Sequence, residues 1–285
     1  MNAAARHLRA VSALAALATV SCSSPAPQTA AEQSRDEAML AQQRAHGALA
    51  RGDVRGAQNQ FLDVLDRGRA VEDRDTVATG LLNIAAVLHR SGELAASRAR
   101  LIELLEHQPP FAPEFAGRAE ARLALIELQS KRLEESARHA QNAEAHCGAS
   151  CPWRLALGNI QAGIALRSGD LASAEVRALA TRTAAASAND IREEANSLRI
   201  LGEIAGERGQ GAGARAALLA ALELDRKAAI PERIALDLLA LSRLELALGE
   251  RKAARDYARR AADVAAAARL AALLAVARGL LSEAQ

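Results

Sequence analysis

The chain has 285 residues, half of them hydrophobic but only 2% aromatic, so it has room for two ordinary domains or one elongated repeat array. Alanine and leucine carry the smallest helix penalty, whereas the residues that suit strands are scarce, and the composition reads as all-α. The formal net charge of +2 comes from Arg6 and Arg9 in an acid-free first segment; beyond it 34 basic residues face 34 acidic ones, and a neutral chain without a basic stretch makes nucleic acid an unexpected partner.

Residues 1–21 have the parts of an export signal. Arg6, His7 and Arg9 supply a positive start, and Ala10 to Val20 an apolar run of eleven residues. A bilayer core needs about 20. The run ends in Thr19-Val20-Ser21-Cys22, which resembles the lipobox of bacterial lipoproteins, although Thr19 stands where an aliphatic residue is usual. The resemblance implies cleavage before Cys22, acylation of its thiol, and, with Ser rather than Asp at position 23, the outer membrane facing the periplasm. The alternative is an ordinary secretory signal with Cys22 incidental. Residues 22–34 are then expected to be an acylated cysteine and a small-residue, Pro-containing tether, ten residues of which reach at most about 35 Å. The folded array is expected over 35–285.

Within that array one feature recurs. Gly52-Asp53 returns as Gly92-Glu93, Gly169-Asp170, Gly209-Gln210 and Gly249-Glu250, and Lys131-Arg132 splits the one double-length gap. The spacing gives six units of about 40 residues. Seven residues before each origin lie Ala45, Ala85, Ala124, Ala162, Gly202 and Ser242, and five after it Ala57, Ser97, Ser136, Ala174, Ala214 and Ala254. All twelve are small. This predicts a helical hairpin per unit: a first helix ends at a residue that takes the left-handed conformation, a second begins at an acidic residue suited to the helix dipole, and the small positions mark where the two cross.

The small pair around a Gly-Asp turn resembles the tetratricopeptide repeat over about residues 35–265. The usual period of that family is about 34, so longer helices or connections are implied. The period suits HEAT or armadillo units better, but the turn and the small pair do not. The resemblance implies a right-handed α-solenoid of about six hairpins. Residues 270–283 would add a lone helix capping its C-terminal end. Between units fall Pro109, Pro110 and Pro113, Cys151-Pro152, Ser187 to Asp190, and Ile230-Pro231. Asp190 with Glu193 has the form of a capping box, and Pro152 and Pro231 suit a first helical turn. The third unit, lacking the glycine and followed by the cysteine turn, is expected to be the least regular.

Cys147 and Cys151 lie four residues apart in that turn. Export makes a disulfide the first reading; free thiols, or a metal held with His139 and His146, are the alternatives. Gly209 to Gly213 has the look of a phosphate loop but follows a helix and sits in register with the other turns. Arg251, Lys252, Arg255 and Arg259 line one side of the last second helix and read as a solvated face. Trp153 reads as a packing anchor. No H-E-x-x-H, G-x-S-x-G or P-loop is present, and the six histidines are dispersed. Catalytic residues, metal ligands and cofactors are therefore not expected.

In tetratricopeptide proteins the first helices line a concave groove that holds a segment of a protein partner. By register, the residues carried into such a groove are His46, His89, Arg90, Asn159, Arg167, Arg199, Glu203, Glu207 and Arg243. The Lys and Asn pattern that clamps a terminal carboxylate in chaperone-binding members is absent from these positions. The functional expectation is a non-enzymatic adaptor at the cell envelope, with a soluble secreted peptide-binding module or an envelope hydrolase as alternatives.

Overall fold

A computed structural model describes residues 29–148 and 150–285. The expected signal segment, Cys22 and the tether as far as Gln28 lie outside the described residues. The described residues form thirteen α-helices and no strand. In order they are α1 (Ala30–Ala50), α2 (Val54–Ala70), α3 (Arg74–Arg90), α4 (Leu94–Glu106), α5 (Pro113–Gln129), α6 (Leu133–Ala145) and α7 (Arg154–Arg167). There follow α8 (Leu171–Ser187), α9 (Ile191–Glu207), α10 (Gly211–Lys227), α11 (Pro231–Ala247), α12 (Arg251–Ala267) and α13 (Ala271–Glu283).

The start corrects one boundary. The tether was expected to run to residue 34, but the helix opens at Ala30. The Thr29 hydroxyl accepts from the Glu32 amide at 3.2 Å while the Glu32 carboxylate accepts from the Thr29 amide at 2.7 Å. That reciprocal pair satisfies two otherwise orphaned donors and fixes the first turn.

The turns explain the period of about 40. Ten of the twelve connections have three residues, and the middle residue of each has positive φ: Gly52, Glu72, Gly92, Lys131, Gly169, Asn189, Gly209, Ala229, Gly249 and Arg269. In each, the next amide reaches back across the helix end, as from Asp53 N to Ala48 O at 2.9 Å and from Ile230 N to Asp225 O at 3.2 Å. This is the bond that closes a helix C-terminus around a left-handed residue. The glycine turn expected inside each hairpin therefore recurs, with other residues, between hairpins. Eight of the helices have 17 residues, and 17 with a three-residue turn makes a helical module of 20.

Lys131 occupies the same left-handed turn as the glycines, at φ 60°. The irregularity of the third unit lies at its two borders, where the connections lengthen to 107–112 and 146–153. L-residues in the left-handed region cost about 1–2 kcal/mol. Lys131→Gly is therefore expected to raise unfolding stability by about 1 kcal/mol, read as a shift of the denaturant midpoint without a change of slope. A lower midpoint would show that the Lys131 side chain contributes more than its backbone costs.

Helix crossing follows the small residues. Ser97 Oγ donates to Ala85 O at 2.7 Å, Ser136 Oγ to Ala124 O at 2.7 Å, and Ser242 Oγ to Ala254 O at 2.9 Å. Each bond joins the two small positions of one hairpin, and every one of these six residues is at most 1% exposed. A serine there fills the crossing and satisfies its own hydroxyl, which alanine does without a polar group to place. Around the crossings Phe61, Leu65, Leu81, Ile84, Leu101, Leu123 and Ile126 form the N-terminal core, and Leu218, Leu222, Leu238 and Leu241 the C-terminal one.

Successive helices pack on one another, and the recurring next-but-one contacts all join odd-numbered helices: α3 to α5, α5 to α7, α7 to α9, α9 to α11 and α11 to α13. The odd helices therefore stand closer together than the even ones and form the inner, concave layer. A Cβ placed on Gly92 would come within 3.2 Å of the Ala272 Cβ, so the solenoid curls far enough to bring the start of α13 to the turn after α3. At the end, α13 buries Ala277 and Leu280 against the C-terminal core and covers its last hairpin.

Candidate functional site: the concave face

Most of the residues assigned to the concave face by register bond one odd helix to the next. His89 Nε2 lies 2.7 Å from Gln129 Oε1, bridging α3 and α5. Arg167 on α7 donates to Glu203 on α9 at 2.7 Å. Asn159 is 6% exposed and donates to the Glu193 backbone and side-chain oxygens at 3.0 Å, while Ser197 Oγ donates to its carbonyl at 2.7 Å. Asn159 is therefore an internal fastener of α7 to α9, and this corrects its expected place among groove residues. Glu193 is drawn to Asn159, Asn196 and Arg233, so the capping box expected with Asp190 is half made: Asp190 accepts from the Glu193 amide, without the return bond.

Arg199 is corrected in the same way. Its side chain is 14% exposed and lies between two carboxylates with no exposure, Asp237 at 2.6 Å and Asp225 at 3.4 Å, with Asn196 Oδ1 accepting at 3.0 Å. Burial pushes the Asp237 carboxyl up to about 7; Arg199 opposes this, and the adjacent Asp225 carboxyl adds to it. Burial also raises Asp225. One oxygen of each, Asp225 Oδ1 and Asp237 Oδ2, has no partner among the described residues. A proton shared between the two carboxyls accounts for all three observations, since like charges this close cannot both ionise. With neither carboxylate exposed, no substrate reaches them.

The remaining candidates are open to solvent or to a pocket. His46 is exposed and meets the Phe61 ring edge-on at 5.5 Å. Glu207 is exposed at the end of α9. Arg90 is partly exposed at the end of α3, and its Nε is buried without a partner. Arg243 lies with Leu246, Val276, Gly279, Leu280 and Glu283 around an open pocket of about 460 Å³ between α11 and α13.

Other sequence features resolve into structure. Cys147 and Cys151 are joined as a disulfide with Cα atoms 5.0 Å apart. Trp153 packs beside them, 9% exposed, and its Nε1 donates to Ala143 O at 3.3 Å. Pro152 precedes α7 by two residues, because Trp153 and not Pro152 stands at the helix cap. His139 turns to Glu120, 2.5 Å away, whose other oxygen accepts from Asn142. Arg255 donates to Ala284 O at 2.8 Å and ties α12 to the chain end, so only part of its basic stripe is free surface.

Register could have revealed two buried ion pairs. Glu127 and Glu245 each stand four residues before an origin, and each is gripped by an arginine six residues after the preceding one. Arg98 reaches Glu127 at 2.9 Å and Arg132 joins it; Arg215 holds Glu245 with two bonds of 2.6 Å. Burial pushes the Glu127 carboxyl up, but the bonds from Arg132 and Arg98 outweigh it and hold it below its usual range.

No protein-family model matches the sequence, and no curated protein is significantly similar to it. Solved structures are. The chain is similar to a Rap protein complexed with competence and sporulation factor, with a TM-score of 0.57 at 13% identity over 82% of this chain and 67% of that one. It is similar also to a signal-transduction ATPase with numerous domains, carrying a tetratricopeptide-repeat sensor, from Pyrococcus horikoshii. There the TM-score is 0.56 at 16% identity over 87% of this chain, which spans 37% of that protein. Likeness at these identities defines the fold: an α-solenoid of tetratricopeptide-like hairpins.

Proposed function

We propose that this protein is a non-enzymatic adaptor of the cell envelope, held to a membrane through acylated Cys22, whose concave face takes up a segment of a protein partner. The observation that carries the reading is the inner layer of consecutive odd helices. Its polar residues are largely spent on fastening the array, which leaves a stiff, curved surface with small open patches. Such a surface suits an extended or helical peptide, because ordering costs fall on the ligand alone. The Rap complex, whose bound factor lends the reading support, shares this fold. The buried, Arg-held state of Asp225 and Asp237 weighs against a cryptic hydrolase. A soluble secreted peptide-binding module differs only in its N-terminus.

One preparation tests both parts. A photo-crosslinking residue at Arg243, used in intact cells, is expected to capture an envelope protein, while mass spectrometry of the same purified chain shows a diacylglycerol-modified Cys22. Capture of nothing above background would sink the adaptor. An unmodified Cys22 would leave the adaptor standing as a secreted module.

A further inference from the structure

Two arginines on the inner layer stand apart from the rest. Nearly every partly buried arginine of this protein is matched by acid: Arg98 and Arg132 with Glu127, Arg199 with Asp225 and Asp237, Arg215 with Glu245, and Arg233 with Glu193. Arg118 and Arg122, one turn apart on α5, have no carboxylate partner among the described residues. Arg122 is only partly accessible, and its bond is to a neutral acceptor, Leu82 O on α3, at 3.0 Å. Burial lowers its pKa to about 10, and the charge of Arg118 lowers it further. For a guanidinium, that means water is withdrawn and nothing negative has replaced it.

The surroundings preserve this imbalance. The acids of α5 are Glu114 in its first turn, Glu120 (taken by His139 and Asn142) and Glu127 (taken by Arg98 and Arg132). On α3 the one acid is Asp75, in the first turn, and α7 has none. The other face of α5 is closed, with Leu123 and Ile126 at most 2% exposed in the core, so the open side of Arg122 is the concave one. A solvated surface pair of arginines needs no partner. A partly buried one, gripping a helix carbonyl in a strip of three helices without a free acid, is a positive site lacking its anion.

We propose that Arg118 and Arg122 form a carboxylate-binding site at the middle of the concave face, which receives an acidic side chain or the terminal carboxylate of the partner segment. Two guanidinium groups one helical turn apart offer forked donors to a planar carboxylate. The site rests on the concave face being the partner-binding surface, and gives that surface its charge preference.

The test uses the full chain with its arginine side chains labelled for NMR. Three blocked oligoalanine peptides serve as probes: one with a free C-terminal carboxylate, one amidated with a central Glu, and one amidated and neutral. One or both anionic peptides are expected to bind about tenfold or more tightly than the neutral peptide, with shifts at Arg118 and Arg122; which of them does so identifies the carboxylate's source. Arg122→Gln and Arg118→Gln are each expected to remove most of that preference. The unliganded Arg122→Gln protein is expected to melt no lower than the parent, because an uncompensated charge has gone. Equal binding of all three peptides would overturn the site while leaving the groove. Binding of none would overturn the site, with the groove still judged by crosslinking. A preference that survives both variants, or a lowered melting temperature with the preference intact, would assign the arginines to packing.

Discussion

Replacing Arg199 with alanine is expected to lower unfolding stability at neutral pH by about 3–5 kcal/mol, the range for stripping one partner from a buried ionic cluster. The side chain joins α9 to Asp237 of α11 and Asp225 of α10, both without exposure. Without it, two carboxyls share a dry site with Arg233 as the remaining nearby cation. Because both can bind protons, the loss should shrink as pH is lowered toward 4. A loss of under about 1 kcal/mol at neutral pH would mean that water already reaches the cluster.

The same cluster gives stability a pH dependence of definite sign. Asp237 has a folded value of about 7 against an ordinary 3.8, so the folded chain holds its proton more tightly than the unfolded one. Its contribution is whole below about pH 4 and is lost as pH rises through about 7. At about 1.4 kcal/mol for each pH unit between those values, the swing is at most about 4 kcal/mol. Arg199 and Glu203 on α9, and Arg233 on α11, are the other charges that shape it. Glu127 and Asp73, held low by Arg132 and Arg98 and by Arg35, act oppositely and lose their contribution as pH falls. The quantity to read is therefore the difference between Asp237→Asn and the parent, which should move in favour of the variant between pH 4 and pH 7.

Why the array was legible and the cluster was not follows from what each depends on. The left-handed turn at a helix end is a local demand, and Gly52, Gly92, Gly169, Gly209 and Gly249 answer it in the sequence itself. The equivalent turns at Glu72, Asn189, Ala229 and Arg269 were hidden because tertiary packing imposes the conformation on residues that do not prefer it. Small residues at two fixed positions announced the helix crossing for the same local reason, whereas the bonds from Ser97, Ser136 and Ser242 need the neighbouring helix in place. Asp237 sits inside the apolar run Ile234 to Leu241, and that mismatch was the one signal available for the cluster. Its partners are 12 and 38 residues away, beyond any local pattern. Arg118 and Arg122 were passed over because an arginine announces a charge and only the fold shows that nothing opposes it.

Close approach of the helices can be tested with one carbon atom. A Cβ on Gly80 of α3 would stand 2.9 Å from the Leu65 Cβ, 3.0 Å from its Cα and 3.1 Å from its amide nitrogen. These are atoms at or next to the α2 backbone, and no side-chain rotation clears them. Gly68 answers from the other side: a Cβ there would stand 2.9 Å from the Val77 amide nitrogen. Helix propensity alone favours alanine over glycine in a helix interior by about 1 kcal/mol. Forcing α2 and α3 apart in a filled core costs about 1–3 kcal/mol, and the core here includes Leu65 and Leu81, each 1% exposed. Gly80→Ala is therefore expected to destabilise despite its better propensity. Gly213→Ala on α10, where a Cβ would meet nothing within 4 Å, is expected to stabilise by about 1 kcal/mol. Opposite shifts of the two denaturant midpoints are the expected result. If Gly80→Ala also stabilised, α2 and α3 would have slack between them, and small residues would not be what sets the spacing of the solenoid.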